Sequence, residues 1–145
     1  MDLFTQVMKW LGRHRIIYDR NDKEPYLERY YLLFKNRSTA PFNIFLHKFL
    51  KSDPDELHDH PWDYRTIILY GGYWEHTPSG KTWYGIGSTK YAEAKYTHRL
   101  ELDQKYPTCW TLFIPYKKTR EWGFIHNSDW VKHDEYLTKT GLDKW

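Results

Sequence analysis

The sequence predicts a mainly β domain, a sandwich or barrel of about eight short strands with one short helix at its start. Three observations carry this expectation. Segments rich in β-branched and aromatic residues recur along the 145 residues. Turn-forming residues separate them, and only one stretch has clear helical spacing. Aromatic residues make up 19% of the chain, with 8 Trp and 13 Tyr, and such side chains favour strands and half-wet pocket walls.

Taken in order, residues 2–11 predict an amphipathic helix. Asp2 can cap it, Leu3, Phe4, Val7, Met8 and Leu11 share one face, and Gly12 can end it. Such a helix is placed to cover an open end of a sheet. Arg15 to Tyr18 and Tyr26 to Phe34 read as strands around the polar turn Asp-Arg-Asn-Asp-Lys. Asn43 to Phe49 is the next strand, followed by a turn at Ser52, Asp53, Pro54 and Asp55. Tyr64 to Tyr70 contains the β-branched run Thr-Ile-Ile-Leu, and Gly71-Gly72 makes a corner into Tyr73 to His76. Thr-Pro-Ser-Gly is a hairpin turn leading to Thr82, Trp83 and Tyr84. Lys95 to Leu102, Cys109 to Ile114 and Glu121 to Phe124 complete the set. Beyond Asn127 the pattern weakens into a tail ending Gly-Leu-Asp-Lys-Trp. The length suits one domain, with a helix over 1–12, a barrel over 15–126 and a tail over 127–145.

Composition narrows the function classes. Net charge is +3, from 22 basic and 19 acidic residues that are spread along the chain, so no nucleic-acid partner is expected, since such binders gather Lys and Arg into a patch. No apolar run approaches the roughly 20 residues that span a bilayer, so no membrane partner is expected either. The opening Met-Asp-Leu-Phe-Thr-Gln lacks a basic segment of the secretory kind. With Cys109 the only cysteine, no intrachain disulfide can form, and a cytoplasmic setting is the default expectation. Cys109 lies in the strand-like Cys-Trp-Thr-Leu-Phe-Ile and reads as a packed, inert thiol.

The strongest local signal is Leu57-His58-Asp59-His60-Pro61-Trp62-Asp63. On an extended segment, residues two apart point to the same side. His58 and His60 therefore set two imidazoles side by side as half a site for Fe, Zn, Mn, Ni or Cu, and Asp59 faces the other way as a candidate orienter. A further histidine, His98, sits on a later strand in Tyr-Thr-His-Arg-Leu-Glu-Leu. His47, in Phe-Leu-His-Lys-Phe, can line the same cavity or bond to a strand neighbour. His14 lies in the N-terminal linker, and His76, His126 and His133 read as surface residues.

These residues resemble the two motifs of the cupin superfamily over roughly residues 44–115. His58 and His60 match the His-x-His pair of the first motif, Gly72 fits its glycine, and His98 fits the single histidine of the second. The string His-Asp-His-Pro-Trp-Asp, with the later Arg-Glu-Trp-Gly-Phe, also resembles uncharacterised cupin-like proteins of bacteria and their phages. The resemblance implies a double-stranded β-helix, or jelly-roll barrel, holding one divalent ion on His58, His60 and His98. It favours Fe(II), with Zn, Mn or Ni as alternatives, a small-molecule substrate and a homodimer. One departure stands out: the motif's glutamate would fall near Tyr64 or Arg65, and neither is a carboxylate. The site then has three histidines alone, or takes an oxygen ligand from Asp63 or Glu75, with Asp63 ahead because it lies nearer the motif position.

Three neutral histidines leave the full charge of a divalent ion uncompensated, which suits an anionic substrate. Arg65, Arg99 and Arg120 are candidates to grip its carboxylate or phosphate with a planar fork, Arg120 foremost and Arg65 beside it. The expected function is a metal-dependent enzyme acting on a small polar or anionic molecule, with a non-haem Fe(II) dioxygenase as one form and a lyase or isomerase as another. The other classes are a non-enzymatic small-molecule or sugar-binding cupin and a phage accessory protein.

Overall fold

A computed structural model describes residues 2–19, 23–35, 40–53 and 56–140, the last four of these by backbone alone. The turn residues expected at 20–22 and 54–55, and the chain end at 141–145, lie outside the described residues. The fold is all-β with a short N-terminal helix, as the pattern predicts. In chain order the elements are α1 (Leu3–Trp10), β1 (His14–Tyr18), β2 (Pro25–Tyr31), β3 (Phe45–Phe49), β4 (Trp62–Tyr70), β5 (Gly72–Thr77) and β6 (Gly80–Gly85). They continue with β7 (Thr89–Ala92), β8 (Arg99–Leu102), β9 (Cys109–Lys118), β10 (Gly123–His126), β11 (Asp129–Lys132) and α2 (His133–Thr140).

Strands β1-β2-β3-β9-β4-β7 form a six-stranded antiparallel sheet, β6-β5-β8 a three-stranded one, and β10-β11 a hairpin. Side-chain alternation sets the inner face of the large sheet. Cys109, Thr111, Phe113 and Pro115 of β9 are buried at every second position, as are Tyr64, Thr66 and Ile68 of β4, the pattern of strands with one face on a core. Register brings Arg29, His47 and Thr111 into one row of that face, and Leu27, Phe49 and Cys109 into the next. The small sheet closes over it, where Ile68, Tyr73 and Cys109 pack with Leu100 and Leu102. Cys109 is fully buried and its thiol is pushed up to about 12 by burial, the inert thiol the sequence predicts.

Gly71 and Gly72 make the corner between the two sheets. Gly71 has φ +76, and a Cβ there would lie 2.6 Å from the Thr108 carbonyl oxygen. Both the left-handed backbone and the close approach require glycine.

Helix α1 begins at Asp2, whose carboxylate accepts from Thr5 N at 2.7 Å, and ends at Gly12 with φ +68, the cap pair the sequence predicts. Its placement differs from expectation. Thr5 and Met8 are the buried residues, while Leu3, Phe4, Val7 and Leu11 are exposed. Thr5 Oγ1 lies 2.9 Å from the Tyr30 hydroxyl, and Tyr30 points away from the inner row. The helix therefore covers the outer face of the large sheet, not an open end.

Two other expectations are corrected. Lys95 to Leu102 was to be one strand, but only Arg99–Leu102 is, and Tyr96 N closes a turn onto Glu93 O at 3.0 Å. The region after Asn127 was to be a tail, yet β11 and α2 lie there. Val131 and Tyr136 pack on Phe124, and this small cluster holds the terminal segment against the barrel.

Candidate metal centre

The segment 57–60 runs extended between two backbone partners. His58 N and His98 N each donate to the other's carbonyl at 3.0 Å, and His60 N donates to Ala94 O at 3.0 Å. On the opposite edge, Asp59 N donates to Gly123 O at 3.0 Å and Ile125 N to Leu57 O at 2.7 Å. With the backbone so fixed, side chains alternate as expected: the histidines face inward and Asp59 faces away.

His58, His60 and His98 converge. Their ring centroids lie 5.3, 5.1 and 5.0 Å apart, and one nitrogen from each lies within 4.8 Å of the others. The chemistry of this donor set fits a divalent transition metal. Burial, with the neighbouring His98, His58 and Lys90, holds the His60 imidazole well below its usual range, so it is neutral, as a ligand must be. Among the described residues, His60 Nδ1 is buried without a hydrogen-bond partner, a cost that a cation among the three rings would offset.

Glu75 sets the orientation of His98. Its Oε2 accepts from His98 Nδ1 at 2.9 Å, which leaves Nε2 with the lone pair. Tyr96 and Lys90 donate to Oε1. Burial alone would raise the Glu75 carboxyl, but the bonds from His98, Lys90 and Tyr96 outweigh it and hold it at about 2. Glu75 is thus an ionised, 2% exposed carboxylate behind a histidine, a positioning residue and not the oxygen ligand the sequence left open. Beside it, Tyr64 lies 4.7 Å from the His60 ring, and its hydroxyl is 3.5 Å from His98 Nδ1. Burial, then the Glu75 charge, pushes its phenol well above its usual range, so Tyr64 presents a neutral hydroxyl where the motif would place a carboxylate.

The histidines open on a cavity of about 250 Å³. Its wall is largely aromatic, with Phe49, Trp62, Phe113, Trp122 and Phe124 among the lining rings. Its polar groups include Arg29, His47, Asp53 and Thr111. Arg29 Nε donates to His47 Nε2 at 3.0 Å. Burial and the Arg29 charge hold His47 well below the usual imidazole range, so it is a neutral acceptor that lines the cavity and also bonds a strand neighbour. Asp53 is buried, accepts from Leu100 N at 2.8 Å and from the Tyr26 hydroxyl, and lies 4.0 Å from His58 Nε2.

Three expected site residues are not brought to the histidines. Asp63 spends its carboxylate on Ala94 N at 2.7 Å and the Tyr91 hydroxyl at 3.0 Å, bracing β4 against β7 and the turn beyond it. Arg65 is exposed on the outer face of β4, 5.4 Å over the Tyr91 ring, because it alternates with the inward Tyr64 and Thr66. Arg120 pairs through Nη1 with Asp59 and lies over Trp130 at 5.6 Å, behind the histidine segment and not at the cavity mouth. Arg99, the remaining arginine candidate, sits opposite His76 at the β5–β8 pairing.

Arg29, Asp53 and the role of Glu75 went unread. Arg29 reaches the cavity only through strand register, and Asp53 beside Pro54 carries the local sequence signature of a turn alone. His126 and His133 are peripheral as expected, the first against Glu56 and the second stacked on Trp122.

No family model matches the sequence, and no curated protein matches it. Solved structures do. The polyketide cyclase RemF of Streptomyces resistomycificus aligns at TM-score 0.64 and 14% identity, over 88% of this chain and 86% of its own. A sugar phosphate isomerase from a cupin superfamily, from Silicibacter pomeroyi, aligns at TM-score 0.59 and 12% identity, over 83% and 86%. Fe(II) HppE aligns at TM-score 0.57 and 12% identity, over 72% of this chain and 57% of its own. At such identities the likeness is one of fold. The fold is a cupin jelly roll, as the motif resemblance implied, and it carries a histidine cluster able to hold a metal ion. Among the described residues, no helix is long and apolar enough to cross a membrane.

Proposed function

We propose that this chain is a metal-dependent enzyme in which His58, His60 and His98 hold one divalent ion and the adjoining cavity takes a small polar or anionic molecule. The observation that carries the reading is the convergence of three imidazole nitrogens within 4.8 Å at the wall of a cavity of about 250 Å³. Solved structures of the same fold include enzymes, one of them an Fe(II) form, which supports Fe(II) as the leading metal and an oxygenase as the leading activity. When bound, the ion supplies a positive centre for an anionic or carbonyl group and, as iron, redox chemistry with O2. The chain's own residues do the rest. Glu75 fixes His98, the neutral Tyr64 hydroxyl offers a donor beside it, and the aromatic wall excludes water around the reacting group. The reading includes a cytoplasmic homodimer of single-domain chains.

The test is oxygen uptake by the anaerobically Fe(II)-loaded protein against a panel of small carboxylates, phosphonates and thiols, with Zn- and Mn-loaded protein assayed for lyase and isomerase turnover. Metal-dependent turnover lost in His60→Ala is the expected result. Saturable binding without turnover under any of these metals would replace the enzyme reading with that of a binding protein.

A further inference from the structure

Helix α1 lies on the large sheet with its apolar side outward. Thr5 and Met8 are the residues it buries. Phe4 and Thr5 rest on Tyr30 of β2, with 5.1 Å between the rings and 2.9 Å between the hydroxyls. Leu3, Phe4, Val7, Trp10 and Leu11 form a stripe at helical spacing on the other side, with Trp10 84% and Leu3 74% exposed. A helix packed on a core turns its apolar stripe inward. A contiguous stripe turned outward marks a surface that meets something else.

A second apolar surface lies on the same face of the sheet. Pairing sets Tyr30, Leu46, Leu112 and Ile67 in one outward row across β2, β3, β9 and β4. Helix α1 occupies the Tyr30 end of that row. The described helices pack away from its other end, α1 against β1 and α2 against β10 and β11. Where β4 ends, Leu69 and Tyr70 are exposed as well. These strands are apolar at both alternations, in Leu112-Phe113-Ile114 of β9 and Ile67-Ile68-Leu69 of β4. Phe113 and Ile68 serve the inner core, and their neighbours face outward. Strands that read this way are covered on both sides.

The stripe and the row complement each other. The helix raises the β1–β2 side of the face by about 10 Å, the diameter of a helix, and leaves a step over β9 and β4. A two-fold axis along the strands sets the raised half of one copy into the step of the other. A second copy thus supplies both surfaces at once, a stripe for the row and a row for the stripe, and the contact closes at two chains. Together the two surfaces offer on the order of 800 Å² per copy, the share of each partner in an interface of standard size.

We infer that this face is the interface between two copies of the chain, with α1 of each docked through Leu3, Val7, Trp10 and Leu11 on the partner's row of Leu46, Leu112 and Ile67. The inference gives the homodimer of the preceding reading its surface, and it does not depend on a bound ion.

The experiment is sedimentation velocity of the full chain over a range of concentrations, with metal content measured on the same samples. The parent should be dimeric at about 10 µM. Trp10→Glu and Leu69→Lys, both at positions exposed in the single chain, should each weaken the dimer at least about a hundredfold and leave the circular dichroism spectrum unchanged. Mixed in equal amounts, the two variants should dimerise more tightly than either does alone. The mixed pair keeps one native helix-on-sheet contact and sets opposite charges together in the other. A parent that is monomeric at about 100 µM overturns the inference. So does a dimer that both variants leave intact, and so does a mixture no tighter than its parts. Flotation of a monomeric parent with vesicles of equal parts phosphatidylcholine and phosphatidylglycerol, lost in Trp10→Glu, would overturn it by assigning the stripe to a lipid surface. A dimer split by both variants in a chain that takes up no metal would refute the metal reading alone. Full metal content in a monomeric parent would refute this inference alone.

Discussion

Replacing Asp59 with alanine is expected to lower stability by about 3–5 kcal/mol, the range for breaking a buried charged network by removing one partner. Asp59 is 1% exposed. It accepts from Gly123 N at 2.7 Å, from the Trp130 indole at 2.9 Å and from Arg120. These bonds fasten β10, β11 and the loop before them to the back of the His58–His60 segment. With the carboxylate gone, the buried Gly123 N–H loses its acceptor, the part-exposed Trp130 indole loses its own, and Arg120 loses its charge partner. The melting temperature should fall by roughly 10 °C or more. Arg120→Ala should cost far less, about 1 kcal/mol, because that side chain is 33% exposed and water replaces part of what it loses. A fall of under 3 °C for Asp59→Ala, measured by thermal melting, would remove Asp59 as the clasp of the site.

Glu75→Gln is expected to weaken metal binding about ten- to a hundredfold, the usual effect of losing a carboxylate behind a ligating histidine. The amide fits the same space and can still accept from Lys90, so the fold should survive. It cannot supply the charge that makes His98 Nε2 a stronger base, and its NH2 can face His98 Nδ1 and reverse the tautomer. Glu75→Ala should lose both metal affinity and stability, since Lys90 and Tyr96 then share no acceptor at that position. Chelator competition with a fluorescent zinc indicator reads the affinity. Unchanged affinity in Glu75→Gln would make the Glu75 network structural only.

The His58–His60 pair was legible in the sequence because it depends on local geometry. His98 was placed with it by the motif resemblance, although it joins the pair through the distant His58–His98 bridge. Extended backbone puts residues two apart on one side, so His58 and His60 had to face together with Asp59 behind them. The helix caps Asp2 and Gly12 are local in the same sense. What failed depends on register between distant segments. Arg120 was expected at the cavity mouth, yet its partner Asp59 lies 61 positions earlier, and no local pattern reports that pairing. Asp63 was favoured for its nearness in sequence to the motif, but the backbone N–H of Ala94, 31 positions on, claims it. Arg29 meets His47 only through the β2–β3 register. Short elements escaped for another reason. β7 and β11 each bury one side chain, Ala92 and Val131, too little alternation to mark a strand.

The central claim is that His58, His60 and His98 form one metal site. Its most direct measurement is elemental analysis of the untagged protein after anaerobic reconstitution with Fe, Zn, Mn and Ni in turn, beside His60→Ala treated identically. The account predicts about one ion per chain for at least one metal in the parent, and close to none in the variant. Equal metal content in the two proteins, or no uptake by the parent from any of the four, would contradict it.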